Sequence, residues 1–313
     1  MPIVDYLLSR LLQMIPVLIG VSLVSFLALH LVPGDPVQIM MHGRATPEVL
    51  AAAHAELGLD KPLPVQYLNF VGKALTGDLG VSIVQRAPVS EIVGERLGPS
   101  LFLLAYSAFL AVLLAVPMAI VAALRAERPV DHGIRLAGMI GFAMPPFWVG
   151  LLLILLFGLK LKWFPISGYG ENFIEHLWHL FLPSVTIALF LTPMLVQSLR
   201  SAMLDVMTAE YIEVARAKGL SRRRIVIKHV LRNALIPLIT VLAVNIGWLL
   251  SGAVVVEYVF AFPGLGSLLV RAVGFRDYPV IQGLSLVFAV IVVTINLVAD
   301  LSYMAIDRRV LRR

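Results

Sequence analysis

The chain has 313 residues, of which 59% are hydrophobic and 14% charged, with a formal net charge of +6 and no cysteine. Soluble domains carry roughly 25% charged residues, so the composition excludes an ordinary soluble enzyme and points to a membrane protein. The missing cysteine removes disulfides, thiolate metal sites and cysteine nucleophiles together.

Six stretches lack Asp, Glu, Lys and Arg: residues 11–32, 99–124, 136–159, 177–199, 233–256 and 278–299. Each exceeds the roughly 20 residues that cross a hydrocarbon core, which predicts six spans. The first is too long for a signal-peptide core, and Pro33-Gly34-Asp35 stands where a cleavage site would need small residues, so it reads as a retained span. An even number of spans puts both termini on one side. Sixteen of the 25 Lys and Arg fall on the side holding Arg10, the 125–135 loop, the 200–232 segment and the Arg308–Arg313 tail. The positive-inside rule makes that side cytoplasmic. The basic excess then follows from topology in a lipid bilayer, and nucleic acid is not expected as a partner.

After the first span, Pro33 to Gly98 form a long outer segment with turn signals at Pro33-Gly34-Asp35-Pro36 and Gly77-Asp78. Thr46 as N-cap and Pro47 in the first turn predict a helix to about Leu57, stopped by Gly58. Leu59, Leu63, Tyr67, Leu68, Phe70 and Val71 give this segment apolar surface to bury, so it reads as an ordered cap. Pro16, Pro117, Pro145, Pro146, Pro183, Pro193 and Pro237 fall within or at the ends of spans and read as kinks, since neighbouring helices resatisfy the freed carbonyls. Between the fourth and fifth spans, Thr208 to Lys218 predicts a short helix. Gly219 stands at its left-handed C-terminal position, and Ser221 caps the helix that enters span five. The product is a helix–glycine–helix elbow in the cytoplasm.

Several chemistries are missing. No phosphate-cradling G-x-x-x-x-G-K-[ST] loop is present, since Gly264-Leu265-Gly266-Ser267 lacks the lysine. No span carries a charge at its centre, as ion-coupled carriers do, and Glu257 and Asp300 lie at span ends. His176 and His179 share a helix face beside Glu175, but with Trp178 adjacent they read as an interfacial pair rather than a metal site. His30 reads as a packed polar residue, and no catalytic constellation is present, so the chain is not expected to be an enzyme. Ser107, Thr186, Thr192, Gln197, Asn245, Ser251, Ser285 and Asn296 are the uncharged candidates for lining a pathway, and each reads equally well as a helix-packing residue.

Glu210-Tyr211-Ile212-Glu213-Val214-Ala215-Arg216-Ala217-Lys218-Gly219, followed by Ile225 and Asn233-Ala234-Leu235-Ile236-Pro237, resembles the coupling loop of ATP-binding-cassette importer permeases. Ala215, Gly219 and Pro237 match the loop's alanine, glycine and late proline, and Glu210 or Glu213 its acidic position; Arg216 lies within the same helix. Pro33-Gly34-Asp35-Pro36, Gly77-Asp78-Leu79-Gly80-Val81-Ser82, Glu257-Tyr258-Val259-Phe260, Phe262-Pro263-Gly264-Leu265-Gly266 and Arg276-Asp277-Tyr278-Pro279 are similar to the dipeptide, oligopeptide and nickel branch, specifically its first permease subunit.

The resemblance implies an all-α membrane protein of six transmembrane helices in the type I importer permease fold, with a cytoplasmic coupling helix and an extended periplasmic segment. It divides the chain into 1–32 with the first span, a periplasmic segment 33–98, a five-helix transmembrane domain 99–307 with its elbow at about 205–232, and a tail 308–313. It implies import of a peptide-type solute across the bacterial inner membrane. The implied partners are a paralogous permease, two ATPase subunits that bind ATP and Mg, and a periplasmic solute-binding protein, with no cofactor in this chain. The alternatives are import of nickel, glutathione or an opine-like solute by the same family, or an ion-coupled carrier.

Overall fold

A computed structural model of the chain describes residues 3–31, Glu48 and 60–306. Apart from Glu48, the helix expected from Thr46 to Leu57 lies outside the described residues, as do the Pro33-Gly34-Asp35-Pro36 turn, the 308–313 tail and the side chains of His30 and Asp300. Among the described residues the structure is helical, with one isolated antiparallel bridge between Val81 and Pro88.

The elements run α1 (Ile3–Leu31), α2 (Leu63–Leu75), α3 (Val89–Leu124), α4 (Pro129–Ala143), α5 (Pro146–Lys160), α6 (Phe173–Met207) and α7 (Glu210–Ala217). There follow α8, which opens at Arg222–Arg224, passes through a π-helical stretch at Ile225–Leu231 and continues as Arg232–Val259, then α9 (Leu265–Phe275) and α10 (Tyr278–Ile306). Among the described residues four helices are long and apolar enough to cross a membrane, namely α3, α6, the first part of α8, and α10, with a fifth where the bent pair α4–α5 counts as one span. The first charge-free stretch corresponds to the apolar run Leu12–Ala28 of α1, a helix of 29 residues.

The third span departs from a simple kink. α4 and α5 meet at 99°, because Met144 (ψ 131°) and Pro145 (ψ 132°) are both extended. Each precedes a proline, whose ring disfavours the α region for the residue before it, so two successive residues leave the helix. Pro146 then restarts it from the first turn, where its missing N–H costs nothing. The charge-free count saw only composition and could not register this break.

The described residues form two compact units, one of Ile3, 100–263 and 294–306 and the other of 4–31, 60–99 and 264–293. In the first, α6 is central: 61% of its most apolar window is buried, against 28–33% in the other three long helices. It packs against α4, α5 and α8, and the Phe142, Phe190 and Trp248 rings stack across α4, α6 and α8 at 4.9 and 5.7 Å. Gly150 of α5 allows a close approach, since a Cβ there would stand 3.1 Å from the Phe260 ring. Phe157, Trp163, Phe164, Trp178 and Phe181 gather where α5 ends and α6 begins, the aromatic belt expected at a membrane–water boundary.

In the second unit, α2 lies along α1. Phe26 is buried against the rings of Tyr67 and Phe70, and the Ser22 and Tyr67 hydroxyls are 2.8 Å apart. Of the apolar residues expected to be buried in this segment, Tyr67 and Phe70 are half-buried, whereas Leu63 and Leu68 are 47% and 67% exposed. Here Asp277 fastens the 80–88 loop: its carboxylate accepts from the Ser82 hydroxyl and from the backbone N–H of Ile83 (3.1 Å) and Val84 (3.2 Å). Ser82 and Asp277 are 195 residues apart in sequence, and both are buried.

Candidate functional site: the elbow between α6 and α8

α6 runs past its charge-free stretch to Met207, where the Thr208 hydroxyl donates to the Asp205 carbonyl (2.8 Å) and closes the helix. Thr208 therefore belongs to the end of α6, and the short helix begins two residues later than expected, at Glu210. Ala209 is extended (ψ 141°) and offers no side-chain cap. Glu210 and Glu213 stand in the first turn instead, where negative charge complements the helix dipole.

The C-terminal end of α7 is a full Schellman closure. The Gly219 N–H donates to the Arg216 carbonyl (2.9 Å) and the Leu220 N–H to the Ala215 carbonyl (3.3 Å), with Gly219 at φ +75°. A Cβ on Gly219 would meet nothing within 4 Å, so glycine is required there by backbone conformation alone and not by crowding. Ser221 is extended, and its hydroxyl accepts from the Arg224 N–H at 3.4 Å, a long cap at the start of α8.

α7 has two apolar faces. Ile212 and Ala215 are buried toward the π-helical stretch of α8, itself buried at Ile225, Val226 and Val230. Tyr211 and Val214, one turn apart, are 46% and 53% exposed. The Asn233 side chain donates to the Tyr211 hydroxyl and to the His229 carbonyl, both at 3.0 Å, tying the short helix to α8. Glu210, Glu213 and Arg216 are exposed, Ala215 is buried, and Gly219 forms the reversal. The elbow is a short helix pinned by its inner face and presenting an outer one.

Farther back along α6 lies an ion cluster that sequence reasoning missed. Arg200, counted there among loop residues, is inside α6 and buried, as is Asp131 of α4. The guanidinium grips both Asp131 oxygens, Nε to Oδ1 at 2.7 Å and Nη2 to Oδ2 at 2.6 Å, a bidentate pair. Glu127, in a left-handed turn at φ 60°, adds its backbone N–H to Asp131 (2.9 Å) and its carboxylate to Arg200 (3.3 Å). The available signal was opposite charge just outside the third and fourth charge-free stretches, at the same membrane side of two antiparallel spans.

Ser107, Thr186, Thr192, Asn245, Ser251 and Ser285 each donate to the carbonyl four residues earlier in their own helix, so each is satisfied locally. Thr192 and Gln197 line one groove of about 450 Å³ with Met118, Met139, Phe142 and Met194, while Asn296 is an exposed residue of α10. Glu257 is buried at the end of α8, where the Ser100 hydroxyl donates to it at 2.6 Å. His176 and His179 each give Nδ1 to a backbone carbonyl, of Tyr169 (2.8 Å) and Glu175 (2.9 Å), and His176 stacks on the Tyr169 ring. No group of three or more metal-binding side chains occurs among the described residues.

Apolar helices around a broken span, with a short surface helix between two of them, define the type I ABC importer permease fold. In keeping with that, a chain of the MetNI methionine ABC transporter, in inward-facing conformations, superposes with a TM-score of 0.57 at 17% identity, covering 69% of this chain and 96% of that one. The chain belongs to the family described as "Binding-protein-dependent transport system inner membrane component", matched over residues 115–312, with the N-terminal region of such components matched over 3–104. It is 39% identical to the oligopeptide transport system permease protein AppB of Bacillus subtilis over 311 residues, 97% of this chain and 98% of that one. It is 42% identical to the glutathione transport system permease protein GsiC of Salmonella typhimurium over 305 residues (97% of each chain), and 37% identical to the dipeptide transport system permease protein DppB of Escherichia coli over 333 (98% of each). The chain is thus a multi-pass inner-membrane permease subunit of an ABC importer, a class that works with an ATPase and a binding protein.

Proposed function

We propose that this permease carries a peptide-type solute from periplasm to cytoplasm, paired with a paralogous permease and driven by two ATPase subunits docked on the elbow. The cargo reading is supported by relatives of near-equal length that are named for oligopeptide, dipeptide and glutathione transport, glutathione being itself a peptide. The single observation that carries the coupling reading is the two-faced α7. Its inner residues Ile212 and Ala215 lock it to α8, while Tyr211 and Val214 remain to enter a cleft on an ATPase.

A push on the outer face passes through a helix that the Schellman closure and the Asn233–Tyr211 bond hold against span five. Glu210, Glu213 and Arg216 supply charge at the rim of that contact. Both termini are cytoplasmic in this reading, residues 33–98 are periplasmic and face the solute-binding protein, and residues 99–307 form the transmembrane domain. The pathway draws on residues such as Thr186, Thr192, Asn245, Ser251 and Ser285, whose uncharged side chains hold a solute weakly.

The test is reconstitution of this chain with the paralogue, the ATPases and the binding protein in proteoliposomes, offering labelled dipeptide, glutathione and nickel in parallel. ATP-dependent, binding-protein-dependent accumulation of a peptide is expected. Accumulation of nickel alone would refute the cargo, and accumulation driven by an ion gradient without ATP would refute the mechanism. A transport-competent assembly with two copies of this chain and no paralogue would refute the pairing.

A further inference from the structure

A groove of about 700 Å³ opens where α3 ends and α8 begins, lined by Arg125, Arg128, Arg222 and Arg223 over a floor of Ile120, Leu124, Val226 and Ile227. No carboxylate lines it among the described residues. Among the described residues none of the four arginine side chains has a hydrogen bond or ion pair, and all four are exposed. The nearest acid in sequence, Glu127, lies between Arg125 and Arg128, but its carboxylate pairs with Arg200 at 3.3 Å and stands 4.0 Å from Arg135, neither of which lines the groove.

Four unpaired guanidinium groups at the end of two apolar helices hold a strong positive potential. They also offer the fork geometry that matches phosphate oxygens. The floor narrows the choice. Ile227 is 54% exposed, and Ile120 and Leu124 close the apolar run of a membrane-spanning helix. A free phosphate would use the arginines and leave this floor wetted, whereas a phospholipid covers the floor with its acyl chains while its headgroup meets the arginines. Basic pockets between spanning helices at a membrane boundary are suited to such headgroups.

We propose that this groove is a binding site for an anionic phospholipid, with phosphatidylglycerol as the representative headgroup. The proposal rests on the reading above that this end of the spans faces the cytoplasm. Arg222 and Arg223 follow Gly219 by three and four residues, so the bound lipid would brace the hinge of the elbow at the bilayer surface.

The test uses the complete transporter in nanodiscs of mixed phosphatidylcholine and phosphatidylglycerol, with retained lipid counted by native mass spectrometry. Two variants are compared with wild type, Arg125→Gln/Arg128→Gln and Arg222→Gln/Arg223→Gln. All four residues are exposed and unpaired, so assembly is expected to persist. Each variant is expected to lower retained phosphatidylglycerol about tenfold or more, leaving phosphatidylcholine unchanged and the ATPase subunits bound. Three results would overturn the proposal: equal retention of both lipids by wild type, displacement of the lipid by millimolar inorganic phosphate, or loss of the ATPase subunits with lipid retention intact, which would make the arginines a protein contact. Photoactivatable phosphatidylglycerol on the wild-type complex gives a readout independent of any variant. Labelling within 120–128 and 222–227 supports the site, and labelling confined to other segments refutes it. Because retention is read without transport, a failure of peptide uptake in the same preparation would count against the function proposed above and not against the lipid site.

Discussion

The elbow and the clamp of Asp277 on the 80–88 loop both carry motifs visible in the sequence, yet they are held by different means. The turns at the two ends of the elbow are local: the bonds that close them, Thr208 to Asp205, Gly219 to Arg216 and Leu220 to Ala215, join residues within five positions, while the Asn233–Tyr211 bond reaches farther, to α8. The clamp is non-local, since Ser82, Ile83 and Val84 all converge on Asp277 nearly two hundred residues away. A backbone-coded hinge can move as a unit while keeping its shape. A side-chain clamp fixes two distant segments and fails when one carboxylate is lost.

That contrast predicts where substitutions act. The largest effect is expected in neither motif but in the buried ion cluster: Arg200→Ala removes both charged hydrogen bonds to the buried Asp131 and leaves it only the Glu127 N–H and the Arg135 guanidinium 3.8 Å away, a loss of about 3–5 kcal/mol at most. It should be read as a fall in the thermal midpoint of the purified complex. Asp277→Ala should come next, at about 1–3 kcal/mol, because it strands the buried Ser82 hydroxyl, while the N–H groups of half-buried Ile83 and exposed Val84 turn to water. Limited proteolysis should then cut within 80–88 while the ATPase subunits still co-purify. If Asp277→Ala released the ATPases and left 80–88 protected, the two regions would not be independent. Ser221→Ala should cost only about 0.5–1 kcal/mol, as removal of a long N-cap. Hydrogen exchange should then rise at Arg224 and nowhere in the clamp.

The same contrast explains what could be read beforehand. Gly219 and Ser221 were legible because helix ends are written in adjacent residues, and the six apolar runs because a membrane demands them. The break at Met144-Pro145-Pro146 was legible as proline but not as a 99° bend, since its angle depends on both flanking residues being extended. The helix start at Glu210 was missed because Thr208 serves α6, and a threonine can close one helix as readily as it caps the next. The pairs Arg200–Asp131, Ser82–Asp277 and Ser100–Glu257 were not legible, because nothing local in a single sequence says which distant side chains meet.

The most direct test of the coupling role is binding-protein-stimulated ATP hydrolysis and peptide uptake in proteoliposomes for Gly219→Val, Gly219→Asn and Glu210→Gln beside wild type. Open space around Gly219 means that valine is resisted only by the positive φ, which asparagine tolerates better. Gly219→Val should therefore insert and assemble but lose stimulated hydrolysis or uncouple it from uptake, Gly219→Asn should be milder, and Glu210→Gln should change least. Wild-type coupling in Gly219→Val, with the complex intact, would contradict the account and remove the elbow from the mechanism.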